Sequence, residues 1–205
     1  MTRHEDFSIL NPMSDTMNFL ICGVGGQGTV LASKIISSAA LARGEHVMSA
    51  ETIGMAQRGG SVTSHVRIGS KVYSPLIAPH EADCMISFEA AEAVRNISFL
   101  KPNATVIVSK SVVQPVTASL TGKNFSADEM ICELKKVTPN VIVVDTENAC
   151  EKIGSHKVVN MLLLGAACRN KVLDSAEIEK AMCSLVKPEF QALNKKALDF
   201  TGEEA

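Results

Sequence analysis

The sequence predicts an α/β fold: a three-layer, Rossmann-like, mostly parallel sheet with an inserted antiparallel hairpin and a helical C-terminal segment. Three observations predict it. Short, almost wholly apolar runs such as Phe19-Leu20-Ile21-Cys22 and Val141-Ile142-Val143-Val144 alternate with stretches of helical spacing, the pattern of parallel strands covered on both faces. A glycine-rich turn, Gly23-Val24-Gly25-Gly26-Gln27-Gly28, lies between the first apolar run and the first helical stretch. Finally, Val62, Ser64, Val66 and Ile68 alternate with Thr63, His65 and Arg67, which interrupts the parallel rhythm with a half-buried strand.

Residues 1–16 are polar, aperiodic and contain Asn11-Pro12, and read as a tail ahead of one domain over 17–205. The first strand is the apolar run ending at Cys22. The first helix starts at Thr29, keeps apolar spacing through Val30, Ile35, Ile36, Ala39 and Ala40, and stops at Gly44. Residues 46–50 read as the second strand, with Glu51 at its end. Strand 61–68 meets Gly69-Ser70, which suits a two-residue turn into Lys71-Val72-Tyr73 as a hairpin. Strand 84–88 then precedes a helix over 89–100 closed by Pro102, and residues 104–109 form the next strand. Helix 127–137, strand 141–144 and helix 146–153 follow. The last quarter reads as three helices near 156–170, 175–186 and 188–200, the first carrying Gly165-Ala166-Ala167 for close packing.

Composition excludes several functions. The 205 residues are 46% hydrophobic, enough to bury a core. Twenty basic and 22 acidic residues give a net charge of -2, so no overall basic field favours nucleic acid. Aromatics are 4% with no Trp, too few for a base-stacking platform. The six cysteines never form CxxC, so closely spaced thiolates for zinc or iron-sulfur clusters are not expected here. No apolar run is long enough to cross a bilayer, and the polar start carries no signal core. A cytoplasmic protein with free, mostly buried thiols is expected.

The glycine-rich turn is the strongest chemical signal. Gly23-x-Gly25-x-x-Gly28 follows a strand and opens a helix, where backbone N–H groups meet an anion that the missing side chains let approach. Gly23 and Gly28 also match P-loop spacing, but Thr29 replaces the required lysine, against ATP or GTP hydrolysis. The same glycines could serve only tight helix–strand packing. As a dinucleotide site the turn would use Glu51 on the ribose, although the inserted hairpin alters the ground near an adenine pocket. A second constellation, Gly54-Met55-Ala56-Gln57-Arg58-Gly59-Gly60-Ser61, presents a guanidinium beside paired glycines. The candidate binding residues are therefore Gly23, Gly25, Gly26, Gln27, Gly28, Thr29, Glu51, Arg58, Gly59 and Gly60, with no catalytic or metal-ligating residue. Glu89 and Glu92 read as ordinary acids compensating a helix dipole. An anion-binding crevice without nucleophile, metal or acid–base pair is an incomplete inventory for an enzyme.

The order of these motifs, with Tyr73-Ser74-Pro75-Leu76-Ile77, Ala82-Asp83, Phe88-Glu89 and Ala93-Val94-Arg95, resembles the gamma-type domain of 2-oxoacid:ferredoxin oxidoreductases, and the Gly-Met-Ala-Gln-Arg-Gly-Gly loop favours the indolepyruvate branch. The resemblance spans about residues 17–200. It implies a subunit of an enzyme that oxidatively decarboxylates aryl pyruvates with coenzyme A to acyl-CoA and CO2, reducing ferredoxin. It further implies that thiamine diphosphate and [4Fe-4S] clusters belong to a large alpha partner subunit, and that this chain binds no cofactor alone but helps form the coenzyme A region. A gamma subunit for another 2-oxoacid, a free-standing dinucleotide oxidoreductase and a non-catalytic nucleotide-binding module are the alternatives.

Overall fold

The computed structural model describes residues 16–53, 59–114 and 126–202. The expected tail lies outside the described residues except for Thr16, which already belongs to β1 (Thr16–Val24). That strand outruns its apolar segment because a full antiparallel ladder holds it: Thr16 through Val24 pair with Gly69 through Ser61 of β3 (Ser61–Gly69). On its other side β3 pairs antiparallel with β2 (Val47–Ile53).

The expected hairpin is therefore present with a different partner. Residues 71–73 are not a strand; three residues would offer a short ladder, whereas β1 and β2 offer nine and seven. The chain beyond Gly69 is tied down by side chains instead. Arg67 donates through Nε to Asn18 Oδ1 at 2.9 Å and through Nη1 to the carbonyls of Ser74 and Leu76, both at 3.2 Å.

The sheet order is β2-β3-β1-β4-β5-β6. β4 (Ala82–Ser87), β5 (Leu100–Ser109) and β6 (Val141–Val144) run parallel to β1. Pro102 does not close a helix. Helix α2 (Ala90–Arg95) ends at Asn96, whose Nδ2 donates to the Glu92 carbonyl at 2.8 Å, and a 3-10 turn (Ile97–Phe99) leads into β5. Pro102 sits where the β4–β5 register shifts between Ala82 and Cys84, an irregular stretch that tolerates a missing N–H.

Helices cover both faces, as alternation along the strands requires. Phe19, Ile21, Ile86 and Ile107 face one core with α1 (Thr29–Ala42) and the C-terminal helices α5 (Val159–Arg169), α6 (Ser175–Leu185) and α7 (Pro188–Leu198). Leu20, Cys22, Met85 and Val106 face the other with α2 and α3 (Ala127–Val137). α4 (Thr146–Ile153) caps the first core beyond β6. Among the described residues no helix is long and apolar enough to cross a membrane. Cys22, Cys84 and Cys150 are buried and Cys168 partly so, but Cys132 and Cys183 are exposed; all are free.

His65 is a buried titratable residue within this scaffold. Its ring meets Phe99 edge-on and Nδ1 accepts from Ile77 N at 3.2 Å, which puts the neutral ring's proton on Nε2. Burial and the neighbouring Arg67 hold its pKa below the ordinary histidine value. A depressed histidine contributes stability that is complete above its unfolded pKa and lost as pH falls through the folded one. Denaturant titrations from about pH 7 to about pH 5 should show stability falling, with a shallower fall in His65→Gln, which keeps an acceptor for Ile77. An unchanged slope in the variant excludes His65 as the source.

Candidate functional site

The glycine-rich turn closes β1 and opens α1, and each of its features has a local cause. Gly26 and Gly28 adopt left-handed φ of 101° and 95°, where a side chain is strained. Gly23 is required by packing instead: a Cβ there would stand 2.7 Å from Gln27 Oε1, 2.8 Å from Phe88 Cβ and 2.9 Å from Thr29 Cγ2. Gln27 braces the turn by accepting from Val24 N at 2.7 Å. Thr29 is buried as the first helical residue. α1 has neither a side-chain cap nor an acid in its first turn, so its first N–H groups carry their partial positive charge toward the turn.

The second predicted constellation meets the first. Gly25 N donates to the Gly60 carbonyl at 2.8 Å and Gly59 N to the Gly25 carbonyl at 3.5 Å. Arg58 lies outside the described residues, as does the rest of 54–58. Glu51 is not brought to the turn. β3 stands between β2 and β1, leaving Glu51 two strand spacings, about 9.5 Å, from β1. Its Oε1 accepts from Ser33 Oγ at 3.4 Å, the fifth residue of α1 and about 6 Å along its axis from Thr29. The inserted strand thus removes the acid from the place a ribose would need it.

Opposite the turn stands a residue that the sequence did not single out. Asn160, in the first turn of α5, is only 3% exposed; its Cβ, Cγ and Nδ2 all lie 3.6 Å from where a Gly28 Cβ would be. Its Oδ1 accepts from Met161 N at 3.0 Å. Its Nδ2 hydrogens meet no acceptor among the described residues and face a cavity of about 370 Å³ between Gly26-Gln27-Gly28, Ser111, Thr146 and Asn160. His156 and Lys157 border the same cavity from the 3-10 turn His156–Val158. A cavity of about 270 Å³ adjoins it across Ser111 and Thr146, walled by Lys110 together with the acids Asp145 and Glu147. Ser109 Oγ, 2.6 Å from Thr146 Oγ1, and its 3.1 Å bond from Ser111 N fix that boundary. Both cavities open at the carboxyl ends of parallel strands, the usual ligand position in open α/β sheets. The arrangement can hold an anion: helix N–H groups and the Asn160 amide donor at the floor, the Lys157 ammonium at the rim.

Glu89 and Glu92 are not ordinary solvated acids. They are 1% and 4% exposed. Burial pushes the Glu89 carboxyl up, against the opposing pull of the Glu92, Val113 and Ala91 N–H groups. Cys22 lies next to them, donating to Ser87 Oγ at 3.3 Å, and burial pushes its thiol up to about 12, which keeps it protonated and unreactive at neutral pH. Among the described residues no three His, Cys, Asp or Glu side chains group to hold a metal ion.

Residues 18–203 match the family described as pyruvate ferredoxin/flavodoxin oxidoreductase, and the chain belongs to that family. Within it, the sequence is similar to the indolepyruvate oxidoreductase subunit IorB of Archaeoglobus fulgidus, 42% identical over 89% of this chain and 92% of that one. The fold is shared with the pyruvate oxidoreductase subunit PORC of Thermotoga maritima, at a TM-score of 0.65 and 23% identity over 91% of this chain and 94% of that one. It is shared too with a 2-oxoglutarate:ferredoxin oxidoreductase from Magnetococcus marinus, solved with 2-oxoglutarate, coenzyme A and succinyl-CoA bound. There the TM-score is 0.68 and identity 19%, and 91% of this chain covers 30% of that one.

Proposed function

We propose that the chain is the IorB-type subunit of an indolepyruvate:ferredoxin oxidoreductase and carries the phosphate end of coenzyme A on its glycine-rich turn. Aryl pyruvates are then decarboxylated oxidatively to aryl-acetyl-CoA and CO2, with electrons passing to ferredoxin through the assembled complex. A large alpha subunit supplies thiamine diphosphate and [4Fe-4S] clusters, and the assembly is cytoplasmic. One observation carries the reading: Asn160 lines the same cavity as the uncapped start of α1, and its Nδ2 has no acceptor among the described residues. A phosphoryl group satisfies both at once, because it offers acceptors to the amide and to the N–H groups of Gly26, Gly28 and Thr29, those of Gly25 and Gln27 being held by the Gly60 and Val24 carbonyls. Lys157 at the rim complements the remaining charge. The placement of Glu51 away from the turn weighs against a free-standing dinucleotide oxidoreductase.

Arg58 is assigned to the coenzyme A phosphates or to the partner's active site, given that Gly59 and Gly60 meet Gly25. The test is reconstitution with the large subunit, followed by dye reduction that depends on both the 2-oxoacid and coenzyme A. Arg58→Ala should raise the KM for coenzyme A about tenfold, the effect of losing one charged hydrogen bond. Unchanged KM and kcat would remove Arg58 from the site, and failed assembly would make its loop a docking element instead.

A further inference from the structure

Two buried carboxylates stand side by side at the start of α2 with no buried cation against them among the described residues. Desolvating even one is costly, and an N-cap needs only one acid, which can remain in water. What they hold explains the expense. Glu89 accepts at both oxygens: Glu92 N donates to Oε2 and Val113 N to Oε1, each at 2.8 Å. Glu92 Oε2 accepts from Ser61 Oγ at 2.6 Å, while its Oε1 lies 3.5 Å from the exposed Arg95.

Both bonds lead to the ligand cavity. Ser61 opens β3 and follows Gly60, whose carbonyl receives Gly25 N. Val113 lies two residues beyond Ser111, which forms the cavity's opposite wall and whose carbonyl receives Ala90 N at 3.0 Å. One path therefore runs from Glu92 through Ser61 and Gly60 to the turn, and the other from Glu89 through Val113 to the wall facing it.

We propose that Glu92 and Glu89 are positioning residues for this site: Glu92, through Ser61, sets Gly59-Gly60 against Gly25, and Glu89, through Val113, sets the Ser111 wall. The inference rests on the reading of the turn as a ligand site. The two positions differ in their chemical demand. Glu89 must accept two N–H groups, and a glutamine would turn its own NH2 toward one of them. Glu92 needs a single acceptor for Ser61, which glutamine retains.

The test measures coenzyme A affinity by calorimetry on the complex reconstituted with the large subunit, and hydrogen exchange of the Gly25 amide by NMR on the full chain. Ser61→Ala and Glu92→Ala should each weaken coenzyme A binding about tenfold and speed Gly25 exchange, with no further loss in the double variant. Glu92→Gln should restore both, whereas Glu89→Gln should weaken binding. Unaltered affinity in Ser61→Ala and Glu92→Ala would overturn the proposal, and Ser61→Ala decides it if Glu92→Ala fails to fold. Should the wild-type complex bind no coenzyme A, the ligand reading fails by itself. Gly25 exchange then decides the positioning role: accelerated in Ser61→Ala supports it, unaltered overturns it.

Discussion

A methyl group added at Gly165 should destabilise the protein by about 1–3 kcal/mol or more, the range for overpacking a closed core. Gly165 lies inside α5, where that helix crosses the end of α7, and its Cβ would stand 2.2 Å from the Leu198 carbonyl oxygen and 3.1 Å from its carbon. Those are backbone atoms, so no rotamer change relieves the contact. The two helices must separate, and α5 is buried almost throughout its middle turns. The Arg169 Nη1 bond to the same carbonyl, at 3.4 Å, would be lost as they do. For a domain of this length each kcal/mol corresponds to roughly 2–4 °C. The thermal midpoint of Gly165→Ala should therefore fall by several degrees, measured by circular dichroism on the full chain. A midpoint within a degree of wild type would mean that α5 and α7 do not pack this closely.

Gly23→Ala should affect both stability and ligand capture. Of the three atoms crowding its Cβ, Gln27 Oε1 is the far end of a flexible side chain and can swing away. Phe88 Cβ cannot, because Phe88 N donates to the Cys22 carbonyl at 2.9 Å and the ring is 1% exposed. Relief must come from the turn itself, with loss of the Gln27 brace on Val24 N. A cost of about 1–3 kcal/mol is expected from the overpacking, together with a fall of about tenfold or more in coenzyme A affinity as the N–H groups lose alignment. The comparison with Gly165→Ala is informative, since that variant should lower the midpoint while leaving the affinity of the folded protein near wild type. Equal affinity in both would mean that the turn's geometry does not serve ligand binding.

Much of the fold is legible in local pattern. The helices Ala127–Val137 and Thr146–Ile153 and the strand Val141–Val144 begin and end where periodicity and β-branched composition change. The partner of β3 is not legible in that way. Gly69-Ser70 is a genuine turn signal, yet which strand lies beside Ser61–Gly69 depends on ladders to residues tens of positions away. Pro102 is a similar case: a proline reads as a helix stop, while the stop is made six residues earlier by the Asn96 side chain. The same nonlocality divides the candidate site. The glycines at 23, 26 and 28 signal their turn by themselves, because left-handed φ and close packing exclude most side chains. Glu51 occupies the right place in the sequence and the wrong one in space, since β3 intervenes. Asn160 could be noticed only as a lone amide opening an apolar helix; its meaning comes from its contact with Gly28. Glu89 and Glu92 look like surface charges until the start of β3 and the chain near Val113 are folded over them.

The central claim is that the phosphate end of coenzyme A rests between the glycine-rich turn and Asn160. It is tested most directly by titrating coenzyme A into the reconstituted complex carrying Asn160→Ala. The Asn160 Nδ2 donates to no acceptor among the described residues, so its removal should weaken apparent affinity about tenfold or more, the value of a hydrogen bond to a charged group, with subunit assembly and iron-sulfur content unchanged. An affinity equal to wild type in a fully assembled complex would contradict the claim.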